Sequence, residues 1–224
     1  MPGLQQCLLP LRLARRLVGR GLGRCSLSGE LRRWRAVPEL QFIADYHDHP
    51  RYIDALRASV AEHWQAHGRT SHLLISFHGI PERYVAQGDP YFNRCQTTAR
   101  LLADELLLRD GEWSVSFQSR FGPAGWLKPY TRAVLSGLPA RGLREVTVVC
   151  PGFAVDCLET LEEIDIENRA TFLRAGGERY EYVPALNARP THAQCLAELI
   201  AQHCQGLPLS GSRVLPGAAR GTSA

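Results

Sequence analysis

The chain has 224 residues, 45% of them hydrophobic and 21% charged, enough for one domain with a proper core and too apolar for a disordered chain. No run approaches the roughly 18 apolar residues of a membrane span, and seven scattered cysteines without a CxxC pair suit a reducing compartment better than a disulfide framework or zinc knuckle. The net charge of +4 comes from residues 1–29, which hold five arginines and no acid; the rest of the chain lacks the basic excess of a nucleic-acid face.

In chain order, residues 1–29 read as a separate Arg-rich, unstructured segment. It has the arginines and acid-free composition of an organellar transit peptide. Its Pro10 and late glycines interrupt an amphipathic helix, and its 25-Arg, one-Lys chain context also fits translated GC-rich sequence. From residue 30 the periodicity becomes that of an α/β domain. A short apolar strand is expected at Leu40–Ile43, and a helix from Pro50 to about His67. A buried strand follows at His72–Phe77, a helix at Phe92–Leu108 and a strand at Trp113–Gln118. Then come a helix at Leu127–Leu138, a strand at Glu145–Cys150, a long helix at Asp156–Ala175, a strand at Tyr180–Val183 and a last helix at Thr191–His203. Residues 207–224 read as a flexible tail. Buried strands alternating with helices predict a parallel sheet covered on both faces.

In such sheets ligands sit beyond the carboxyl ends of the strands. Three polar motifs fall there: His78-Gly79-Ile80-Pro81, Ser119-Arg120-Phe121-Gly122-Pro123, and Pro151-Gly152-Phe153 leading into Asp156. No GxGxxG, GxxxxGK[ST] or GxSxG follows a strand, so dinucleotide, nucleotide triphosphate and serine-hydrolase chemistry lack their usual groups. Residues 156–167 carry six acids in twelve positions. On an α-helix turning about 100° per residue, Asp156, Glu159, Glu163 and Glu167 share one face. Such a row serves either as a solvated face with acids at a helix N-terminus or as a place to bind or relay a cation such as Fe²⁺. His78 is the nearest imidazole.

Other features are weaker. His47-Asp48-His49 precedes Pro50 and reads as a turn leading into a helix rather than as a metal site. Cys150 and Cys157 flank the motifs without a base to activate them and read as buried small residues. Trp34, Trp64 and Trp113 read as core or interface residues.

SFHGIP (76–81), QSRFGPAGWL (118–127) and PGFAVDCLETLEEIDIE (151–167) together resemble the ferrochelatases, most closely the bacterial ones. The resemblance runs from near Glu30 to about His203. It implies a Rossmann-like, chelatase-type domain (residues 30–206, with an interdomain segment) and a lyase that inserts Fe²⁺ into protoporphyrin IX in haem synthesis. The resemblance makes His78 the metal ligand and acceptor of a pyrrole proton, and Glu159 its partner across the cleft. It makes Asp156, Glu163 and Glu167 an acidic path, and Ser119 and Trp126 macrocycle contacts. Porphyrin and Fe²⁺ are the implied partners, and Fe²⁺ is substrate, not cofactor.

Some members bind a [2Fe–2S] cluster through several carboxy-terminal cysteines. Here Cys195 and Cys204 are the last two, so no cluster is expected. Family members also carry an amino-terminal domain ahead of the RWR…PELQFIADYHDHP segment. Its place is taken here by about 29 unrelated residues, so the cleft lacks a wall, and self-association or pairing with the missing half is expected. Two other readings stand beside the enzyme: an inactive remnant that binds metal weakly, and another tetrapyrrole chelatase of the same fold. The expected compartment is the bacterial cytoplasm, or the mitochondrion if residues 1–29 are a transit peptide.

Overall fold

The computed structural model describes Arg35 and residues 43–204. The segments read as an Arg-rich leader (1–29) and a flexible tail (207–224), and Trp34, lie outside the described residues. So does most of the strand expected at Leu40–Ile43; Ile43 itself belongs to no strand.

Four strands form one parallel sheet. They are β1 (His72–His78), β2 (Trp113–Gln118), β3 (Glu145–Val149) and β4 (Arg179–Val183), in the order β2-β1-β3-β4. The helices are α1 (Pro50–His67), α2 (Glu82–Ala86), α3 (Tyr91–Glu105), α4 (Thr131–Gly137), a π-helix (Glu159–Asn168), α5 (Arg169–Arg174) and α6 (Pro190–His203). The sheet is α/β and Rossmann-like, as the alternation of buried strands and helices implies.

β1 is buried along its whole length, because it lies inside the sheet and both faces are covered. Its odd-numbered residues Leu73, Ile75 and Phe77 meet α1, α3 and α6 through Ile53, Leu56, Val60, Cys95, Leu102 and Leu199. On its even-numbered face Leu74 joins Val146, Val148, Leu135, Ile164 and Phe172. Each such side chain contributes about 1.5–3 kcal/mol on burial. Trp64 and Trp113 pack at the margin of the first cluster.

The chain leaves β1 for β2 on one side, then crosses back over β1 to reach β3 on the other. The winding therefore reverses between β1 and β3, the topological switch point at which α/β sheets bind ligands. The residues beyond these two strand ends are His78-Gly79 and Cys150-Pro151-Gly152.

Three elements differ from the periodicity. α4 begins at Thr131, not Leu127, because Lys128 precedes Pro129 and is pushed out of the helical region. The short helix α2 is unforeseen. The long helix expected at Asp156–Ala175 is a π-helix over Glu159–Asn168 that runs into α5, so its backbone bonds reach from i to i+5 and the α-helical spacing of its acids does not apply.

Candidate active site at the strand ends

His78 is the last residue of β1 and is 8% exposed. Its Nδ1 lies 2.5 Å from the Gly79 carbonyl, which can only accept, so Nδ1 donates there. An imidazole fixed through one nitrogen is oriented for a ligand or base role at the other. The rings of Trp126 and Phe153 stand beside it, each with its centroid 6.3 Å from that of His78.

Trp126 reaches His78 because two loops pair. Leu127 N–H donates to the Ile80 carbonyl and Glu82 N–H to the Gly125 carbonyl, each at 3.0 Å. Gly79 makes this approach possible: a Cβ there would stand 2.9 Å from the Gln118 carbonyl oxygen and 3.1 Å from Trp126 Cε3. The Trp126 Nε1 donor is buried without an acceptor among the described residues. A buried donor left unpaired is uncommon in a fold selected for stability alone.

Gln118 ties the strands to the π-helix. It pairs with His78 in the sheet register and is 3% exposed. Its Oε1 accepts from Ser76 Oγ at 2.8 Å and from Cys150 Sγ at 3.4 Å. Its Nε2 donates to the Glu159 carbonyl at 2.7 Å. Ser76, on the face that His78 also takes, is held further by Thr131 Oγ1 at 2.9 Å. The first turn of the π-helix is thus fixed over the same face and the same end of the sheet as His78.

Ser119 follows with φ +59°, a left-handed conformation uncommon for serine. The turn aims both of its donors at one carboxylate: the amide lies 2.7 Å from Glu163 Oε1 and the hydroxyl 2.6 Å from Oε2. Burial pushes the Glu163 carboxyl up, and the charge of Glu159 adds to that; the Ser119 and Gln118 hydrogen bonds offset only part. Glu163 is therefore a carboxyl that takes up a proton more readily than an ordinary glutamate.

The acidic row does not stay together. Glu159 and Glu163 are half-buried near one another, whereas Glu167 is exposed at the far end of the π-helix. Asp156 lies before the helix and faces the segment leaving β4. Its carboxylate accepts from Tyr182 Oη at 2.6 Å, Asn187 Nδ2 at 2.7 Å, Ala185 N at 3.1 Å and Thr160 Oγ1 at 3.2 Å. Burial alone would raise its carboxyl, but these four donors outweigh it and hold the group below its ordinary value. Asp156 acts here as a clamp between the π-helix and β4.

Cys150 is buried, and burial pushes its thiol well above the usual range, the state of an inert thiol. His49 caps α1, with Pro50 at the first helical position. Asp45, His47 and Asp48 cluster nearby. Arg94 pairs with Asp45 at 2.7 Å, and the other Asp45 oxygen lies 2.5 Å from His47 Nδ1. A cavity of about 530 Å³ lies by the amino-terminal ends of the strands. Its Arg69 and Glu112 are paired at 3.3 Å, so it is a solvated charged recess away from His78.

Gln118 is the residue that the sequence did not single out. A glutamine at a strand end carries no pattern of its own; only its position in the register beside His78 gives it a role.

Comparison with known proteins matches the family described as Ferrochelatase over residues 24–204. The ferrochelatase of Nitrosococcus oceani is 53% identical over 189 residues, covering 83% of this chain and 51% of the relative. That of Methylococcus capsulatus is 55% identical over 170 residues, covering 76% and 52%. That of Aeromonas hydrophila is 53% identical over 172 residues, covering 77% and 53%. The chain spans about half the length of the curated relatives it matches. With a family match over most of its length, and with the three motifs gathered at the carboxyl ends of a parallel sheet, this chain belongs to the ferrochelatase family.

Proposed function

We propose that this chain forms the iron-handling half of a ferrochelatase, a lyase that inserts Fe²⁺ into protoporphyrin IX to give protohaem. The observation that carries the reading is the linkage of His78, through its sheet neighbour Gln118, to the turn bearing Glu159. Metallation must remove two N–H protons from a macrocycle whose lone pairs point inward, so a base beside the ring speeds it. His78 is that base and a transient ligand for the incoming Fe²⁺. Glu159 is the facing carboxylate, and Glu163, with its raised carboxyl, receives protons as they leave. Glu167 continues that path to solvent, while Asp156 holds the helix in place. Trp126 and Ser119 border the macrocycle.

The second half of the cleft is a partner in this reading. Val155, Leu158, Leu161 and Ile166 are exposed along the approach to and length of the π-helix, and Phe121 is 84% exposed beyond β2. Apolar side chains on the site's own rim suit a covering wall. A single wall cannot clamp or bend the macrocycle, nor exclude water from His78 and Glu159. The compartment that fits the bacterial relatives is the cytoplasm, and no helix among the described residues is long and apolar enough to cross a membrane.

The test is a chimera joining the amino-terminal half of the Nitrosococcus oceani relative to this chain from Glu30 onward. Supplied anaerobically with Fe²⁺ and protoporphyrin, it should quench porphyrin fluorescence far faster than an enzyme-free control, while the 224-residue chain alone should show little turnover. A chimera that folds and binds porphyrin yet inserts no iron would overturn the assignment.

A further inference from the structure

A second group of ligating side chains lies far from His78. His63 and His67 stand one turn apart near the end of α1, with ring centroids 4.3 Å apart and planes inclined by 26°. Glu181, the middle residue of β4, faces them. His63 Nε2 lies 3.2 Å from Glu181 Oε2, and one ligand atom from each of the three residues falls within 4.8 Å of the others. Glu181 pairs with Thr147, which pairs with Leu73 at the start of β1. Trp64 Nε1, from the same turn of α1, donates to Thr147 Oγ1 at 2.9 Å. The group therefore sits on the α1 face of the sheet, and Leu73 is five residues, or roughly 16 Å of strand, before His78.

We propose that His63, His67 and Glu181 form a site for a borderline divalent cation such as Zn²⁺ or Co²⁺, separate from the His78 centre. Two imidazoles and one carboxylate, with a fourth position left to water, make a tetrahedral donor set of the kind zinc takes. With bonds of about 2.0–2.1 Å, ligand atoms on one tetrahedral ion stand roughly 3.3 Å apart. The His63–Glu181 pair already has that separation, and His67 offers a ligand atom within 4.8 Å of both. His63 and Glu181 are only 12% and 21% exposed at the side chain, whereas His67 is exposed and opens the site to solvent.

The supporting contacts also suit ligation. His67 Nδ1 lies 3.1 Å from the His63 carbonyl, which can only accept, so Nδ1 donates there and fixes the ring. Arg179 Nε donates to Glu181 Oε1 at 3.2 Å, leaving Oε2 toward the histidines. Ligating histidines and carboxylates are held in these ways by outer contacts. A structural His–Glu pair would need one imidazole, and here a second is stacked on the first. The nearby guanidinium opposes any dication, and the two imidazoles are what favour ions that prefer nitrogen donors over oxygen-seeking Mg²⁺ or Ca²⁺.

The experiment titrates the 224-residue chain with Co²⁺, following its visible d–d absorption, in a His78→Ala background that removes the other centre. One Co²⁺ should bind with a tetrahedral spectrum. Adding His67→Ala, a change at an exposed position, should weaken binding about tenfold or more, while adding His47→Ala should not. Should the His67→Ala chain lose its fold by circular dichroism, His67→Gln is expected to give the same weakening. Absence of a Co²⁺ band in the His78→Ala chain, or a band that folded His67 variants leave unchanged, would overturn the proposal.

Discussion

Gln118 donates from its side-chain nitrogen to the main-chain carbonyl of Glu159 at 2.7 Å, and this bond ties the strand that neighbours His78 to the first turn of the π-helix. Gln118→Ala leaves that carbonyl and the Cys150 thiol without their buried partner and opens a small void. The expected cost is about 1–3 kcal/mol, read as a lowered midpoint in urea denaturation. In the chimera, iron insertion should fall more than porphyrin affinity, because the turn that carries Glu159 loosens while the apolar rim is untouched. Equal losses of both would show that Gln118 serves only the fold.

Asp156 predicts an acid-sensitive clamp. Its carboxyl is raised by burial but lowered further by four donors, and the net position is below the ordinary value of about 3.9. The unfolded chain then takes up the proton more readily than the folded one. The stabilisation is in place above the ordinary value and drains as pH falls through the depressed folded value. Asp156→Asn should lower stability near neutrality by about 2 kcal/mol and flatten the acid limb of a plot of denaturation midpoint against pH. An unchanged acid limb would assign the sensitivity to other carboxylates.

Glu163 carries the opposite sign. Burial raises its carboxyl, so the folded state favours the protonated form, and the ionised form costs stability above the raised folded value. Glu163→Gln keeps the shape and can still pair with Ser119. It should leave thermal stability at pH 7 equal or higher, while slowing proton removal and hence iron insertion in the chimera. A variant clearly less stable at pH 7 would place Glu163 with Asp156 as a structural anion.

Much of this architecture was legible because its causes are local. Pro50 and the apolar spacing after it mark α1, and HLLISF and EVTVVC are buried strands whose ends fall within a residue of those observed. The alternation of these elements gives the sheet, and its carboxyl ends give the motif positions. What was not legible depends on backbone detail. The acids from Glu159 onward look α-helical by spacing, but the segment takes i→i+5 bonds, which no residue pattern here announces. Asp156 looks like the first member of the row, yet its partners Tyr182, Ala185 and Asn187 lie about 30 positions away and meet it only after β4 is placed. Gln118 and the stacked His63 and His67 gain meaning from the register of the strands they face.

In the proposed function His78 supplies the base and metal ligand of iron insertion, and a single substitution decides it. His78→Ala in the chimera removes an imidazole beside Trp126 and Phe153 but little apolar surface, so porphyrin should still bind, as followed by the quenching of intrinsic fluorescence. Anaerobic Fe²⁺ insertion, followed by the loss of porphyrin emission, should be abolished, because an interaction made during metallation is gone while binding remains. Near-normal turnover in a folded His78→Ala chimera would contradict the account and move the chemistry to another residue.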